Sequence, residues 1–140
     1  MLKTTLAFAT DHFEVDPDTP SYGASELMEL LLDVFAEQGH EALPEMVGEN
    51  WGASCEFRVD GVRYDIMAAL IDAEAKPAIW WVIVSPADTR PLLARLFCRP
   101  RDVENPPEVA QLLEDAVRTI PGVRDVEWYD PDRDLPPTLF

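Results

Sequence analysis

The chain reads as an α+β two-layer sandwich, a mostly antiparallel sheet with helices on one face. Three observations predict it. Stretches with two-residue periodicity and stretches with helical periodicity follow one another in the order β-α-β-β-β-α-α-β. Asp60-Gly61 joins two alternating runs and is the favoured two-residue hairpin turn. Those runs are apolar on one side and charged on the other, the pattern of an antiparallel sheet covered on one face only.

The elements follow in chain order. Thr4–Ala9 is a short strand with Leu6 and Phe8 on one face. A turn-rich acidic connection follows, punctuated by Pro17 and Pro20; it lacks the later glycine and closing Glu of a calcium loop. In ASELMELLLDVFAEQG, Leu27, Leu30, Leu31, Val34 and Phe35 make one helical stripe, with Ser25 as expected N-cap and Gly39 just past the end. Ala53, Cys55, Phe57 and Val59 then alternate with polar residues. Beyond the turn, Val62, Tyr64 and Ile66 do the same. Arg58 and Arg63, facing Glu56 and Asp65, read as cross-strand charge pairs. AIWWVIVSP is apolar on both faces, as a central strand should be, so Trp80 and Trp81 point to opposite sides.

ADTRPLLARLFCRPR has helical spacing and four arginines, and Pro100 ends it. Asn105 and Glu108 stand at capping-box spacing, with Pro106 at the first helical position. The inner stripe of that helix is Val109, Leu112, Leu113, Ala116 and Val117. Val123–Tyr129 is a last strand with Val126 and Trp128 on one face, and residues 130–140 are an extended Pro/Asp-rich tail. With 140 residues, 47% of them hydrophobic, the chain fits one α+β domain with a core of its own.

Charge narrows the function. There are 27 acids against 11 bases, a net of −16. Residues 1–50 hold eleven acids and only Lys3, a net of −10. Such a surface repels nucleic acid and anionic lipid and draws basic proteins over long range; the same acidity also serves solubility. No apolar run approaches membrane length, and the N-terminus lacks a long apolar h-region and an A-x-A-like cleavage site, so no signal peptide is expected and the cytoplasm is the expected compartment. His12 and His40 are far apart, no CxxC or HExxH occurs, and no nucleophile elbow, P-loop or dinucleotide fingerprint is present. The expectation is therefore no metal, no cofactor and no catalytic residue. Cys55 and Cys98 read as small buried hydrophobes.

The expected partner surface comprises Asp11, Glu14, Asp16 and Asp18 in the first connection and Glu26, Glu29, Asp33 and Glu37 on the helix. It continues through Glu41, Glu45 and Glu49 to Trp51, which is either a packed strand entrance or an anchor ringed by those acids. A small carboxylate-dependent enzyme is the alternative from another class, with Glu49 or Glu127 beside a tryptophan as its acid.

The succession ENWG, a hairpin through DG, IWWVIV, RLFCRPR and a closing VEWY looks like small bacterial α+β proteins of the immunity-protein type. The resemblance implies a non-catalytic inhibitor that neutralises a toxin, with a basic protein as partner. In size, acidity and an α-βββ-α core the chain is also similar to type III secretion chaperones, which implies a homodimer holding an effector segment. The leading strand and the two consecutive late helices depart from that second pattern.

Overall fold

The computed structural model describes residues 4–42, 47–49, 52–86 and 105–129. Its elements are β1 (Thr5–Ala9), α1 (Pro20–Glu37), β2 (Glu41–Ala42), β3 (Val47–Glu49), β4 (Gly52–Val59), β5 (Val62–Asp72), β6 (Ile79–Pro86), α2 (Pro107–Arg118) and β7 (Arg124–Tyr129). The strands form one antiparallel sheet in the order β2-β4-β5-β6-β1-β7, with β3 also paired to β4. β2 and β3 thus share one edge of β4, and β7 is the other edge. The α+β class with an antiparallel sheet is what the periodicities predict. The arginine-rich helix expected at residues 87–101 and the tail at 130–140 lie outside the described residues, as do Glu45 and Trp51.

The hairpin turn is type I′, with positive φ at both Asp60 (51°) and Gly61 (80°). It pairs Val59 with Val62 and fixes the register through to Gly52 opposite Ala69. One face of the sheet is the core: Leu6, Phe8, Phe57, Ile66, Ala68, Trp80, Val82 and Val84 are fully buried or nearly so. Val62 was expected on that face, but it is 49% exposed because it sits at the hairpin tip beyond the reach of α1. On the wet face the expected facing of Arg58 and Arg63 with Glu56 and Asp65 does not occur across the hairpin. Glu56 faces Asp65 and Arg58 faces Arg63 in register, so like charges oppose. Arg63 reaches diagonally to Glu56, and Arg58 lies 3.9 Å from Glu41.

α1 begins six residues earlier than the sequence pattern suggests, at Pro20 rather than after Ser25. Proline at the first helical position gives up an N–H that would be unpaired anyway. Ahead of it, the Asp16 carboxylate accepts from the Asp18 N–H at 2.9 Å and from the Thr19 hydroxyl at 2.8 Å, closing the entry turn. The buried stripe is Ala24, Leu27, Met28, Leu31 and Phe35, with Leu30 and Val34 only partly buried on its flank. The helix is therefore rolled toward Met28 relative to the expected stripe.

Gly23 marks the closest approach of α1 to the rest of the fold. A methyl group there would collide with the Glu14 carbonyl and approach Trp80 to 2.7 Å, so the first turn lies directly on the loop and the indole. α2 buries the expected Val109, Leu112, Leu113, Ala116 and Val117. Its start differs from the capping-box expectation. Asn105 is buried and donates from Nδ2 to the Val84 carbonyl at 3.0 Å, tying the helix entrance to β6, and the helix begins at Pro107.

Gly→Ala in a helix interior ordinarily stabilises by about 1 kcal/mol. Gly23→Ala is expected to do the opposite and destabilise by about 1–3 kcal/mol, because a backbone carbonyl and a locked ring must give way. Urea unfolding followed by tryptophan fluorescence measures it.

Candidate functional site

Residues 4–42 contain nine carboxylates and not one lysine or arginine. The structure sorts them. Asp16 is committed to the entry turn of α1, and the hydrogen bonds it accepts from Thr19 and Asp18 hold its carboxyl below the ordinary aspartate pKa. Asp11 accepts the Ala78 N–H at 3.1 Å and so fastens the first connection to the start of β6. Glu41 spends part of its charge on Arg58. Glu49 closes β3 opposite Gly52.

Of the six that remain in residues 4–42, Glu26, Glu29, Asp33 and Glu37 are exposed on α1. At 100° per residue they fall within about 80° of one another and run roughly 16 Å along the axis. Glu14 and Asp18 are also exposed, and the Glu14 N–H approaches Glu26 Oε1 at 3.4 Å, which sets the first connection against one end of the stripe. Tyr22, four residues before Glu26, lies on the same line and is 59% exposed, the most open large apolar side chain among the described residues. With a helix expected to start after Ser25, Tyr22 falls in the preceding connection and carries no signal in the sequence. Once Pro20 is the first helical residue, the spacing alone assigns it to the acidic stripe.

A second feature was not foreseen. At one end of the sheet, on the face turned away from the helices, a cleft of about 380 Å³ opens between β1, the β5–β6 connection and the start of β7. Ala7, Ala9 and Ile79 line its floor. Its rim holds Lys76 from the connection and Arg124, Asp125 and Glu127 from β7. Glu127, the acid singled out beside Trp128, is exposed there.

A bulge makes the cleft. Ala7 pairs with Glu127 and Ala9 with Arg124, so three steps on β7 oppose two on β1. Asp125 takes up the extra length with φ of 58°, a conformation uncommon outside glycine and frequent at functional sites.

The three walls are fastened to one another beneath the rim by Thr10. Its backbone N–H donates to the Ala78 carbonyl at 3.0 Å, its hydroxyl donates to the Pro121 carbonyl at 3.0 Å, and that hydroxyl accepts the His12 N–H at 3.1 Å. Thr10 is fully buried. Its role was invisible in the sequence, where a threonine ending a strand carries no particular signal.

The tryptophans divide as expected. Trp80 is buried under α1, and Trp81 stacks on Tyr129 across the opposite face with centroids 5.4 Å apart. Trp128 donates its indole N–H to Glu114 of α2 at 3.0 Å. Cys55 is buried among apolar neighbours, and burial pushes its thiol pKa up. No helix among the described residues is long and apolar enough to cross a membrane. No protein-family model, curated protein or solved structure matches the chain.

The Asp16 turn has a pH signature. Its folded pKa is lowered, so its contribution is present above the unfolded value of 3.8 and is lost as pH falls through the folded one. Hydrogen exchange in the first turn of α1 should be faster in Asp16→Ala than in wild type at neutral pH. The difference should close as the pH drops below 3.8.

Proposed function

We infer that this protein is a non-catalytic binding module of the immunity or inhibitor type, which docks a basic protein on the outer face of α1. The observation that carries the reading is the stripe of Tyr22, Glu26, Glu29, Asp33 and Glu37, exposed together along one helix with no lysine or arginine anywhere in positions 4–42.

An isolated helix face of this kind is electrostatically unfavourable, because like charges at these spacings repel by tenths of a kcal/mol each. A positive partner relieves that repulsion and is drawn in by the −10 on residues 1–50. Tyr22 supplies what charge alone lacks: a flat amphipathic ring of the type that anchors interfaces, at the end of the stripe adjoining the first connection. Binding of this kind has a fast, salt-sensitive association step and a short-range anchor that governs dissociation.

The test is capture of the partner from the cells that make the protein, followed by kinetics with the purified partner. Glu29→Lys with Asp33→Lys should slow association about tenfold or more at low salt and flatten its salt dependence. The fold should be intact, since exposed charges contribute only tenths of a kcal/mol. Tyr22→Ala should instead speed dissociation. Wild-type association by the double variant, or a captured partner that is itself acidic, would remove this function.

A further inference from the structure

We propose that the cleft between β1, the β5–β6 connection and β7 binds a small zwitterion with an apolar side chain, of the kind a free aliphatic amino acid presents. The inference does not depend on the acidic face of α1, which lies on the other side of the sheet.

Charge pairing is the first reason. Five basic residues fall among the described ones, and three of them have partners: Arg58 with Glu41, Arg63 with Glu56, and Arg118 with Glu114. Lys76 and Arg124 have no ion-pair partner among the described residues, and both line this cleft. Asp125 and Glu127 line it too, yet neither closes a salt bridge with Arg124 or Lys76. In a protein of net −16, cations left without partners beside acids are unexpected. Opposite charges kept apart around one opening match a ligand that carries both signs. A carboxylate then pairs with Arg124 and Lys76, and an ammonium with Asp125 and Glu127.

Size and lining are the second reason. About 380 Å³ is at the small end of ligand clefts, too little for a dinucleotide and enough for a few carbons beyond the charged head. Ala7, Ala9 and Ile79 give that body an apolar floor. A phosphate is disfavoured twice, by the two rim acids and by the apolar floor.

Rigidity is the third. Thr10 and Asp11 fasten the walls to one another through the contacts to Ala78 and Pro121, so little ordering is needed on binding. The β7 bulge sets Arg124, Asp125 and Glu127 around the opening rather than in plain alternation.

The experiment is a titration of the full chain with leucine, isocaproate, isoamylamine and glycine, followed by amide chemical shifts. Isocaproate lacks the ammonium, isoamylamine lacks the carboxylate and glycine lacks the apolar body. Leucine should shift the amides of Ala9, Ile79 and Glu127 saturably, and bind about tenfold tighter than each of the other three. Arg124→Gln, Lys76→Gln and Glu127→Gln should each weaken leucine severalfold. All three residues are exposed, so the variants should keep the wild-type spectrum elsewhere. Three results would overturn the proposal: no saturable shift by about 10 mM, stripped analogues that match leucine, or charge variants that bind leucine as wild type does.

Discussion

Trp80 is the side chain on which three parts of the fold meet. Its ring is fully buried between the sheet and α1, in van der Waals reach of the position where any side chain at residue 23 would project. Its indole N–H donates to the Thr10 carbonyl at 3.2 Å, and Phe13 packs edge-on at 5.8 Å. Sheet, first connection and first helix therefore converge on one side chain. A buried indole also needs a partner for its N–H, and only the backbone of Thr10 supplies it here. That requirement fixes where β1 must end, and the end of β1 in turn sets the floor of the cleft.

The same constraint separates the jobs of the two faces of α1. The inner face holds on through Ala24, Leu27, Met28, Leu31 and Phe35, all fully buried. Each large apolar side chain so buried contributes about 1.5–3 kcal/mol, while repulsion between exposed acids costs only tenths. The helix can carry Glu26, Glu29, Asp33 and Glu37 in a row because its attachment does not depend on them. An acidic surface of this kind is thus compatible with the fold without being required by it, which is the situation in which charge is available for recognition.

The fold was legible where one periodicity acted alone. Phe57, Tyr64 and Ile66 alternate strictly and are core; Leu112, Leu113 and Val117 recur helically and are core. Asp60-Gly61 specified its own turn. Legibility failed where a tertiary contact decided. Ser25 looked like a helix start, but Pro20 and the Asp16 turn began the helix earlier, and Gly23, a helix-weakening residue in isolation, is demanded by the closeness of Trp80. Asn105 looked like a cap and became a strand tie, because burial beside β6 offered its amide the Val84 carbonyl. The acidic stripe could be read from spacing, except for Tyr22, which inherited the misplaced helix start. The cleft could not be read at all. It depends on a register shift between β1 and β7 and on hydrogen bonds that Thr10 and Asp11 share with residues 67 or more positions away.

Native-state hydrogen exchange on Trp80→Phe tests the central claim, that α1, the first connection and the cleft walls form one unit through this indole. Phenylalanine keeps an aromatic ring but leaves the Thr10 carbonyl without its donor and the space beside Gly23 partly empty. The account predicts that the amides of α1, of Thr10 and of Ala78 lose protection together and by the same factor. Loss confined to the neighbours of residue 80, with α1 as protected as in wild type, would contradict it.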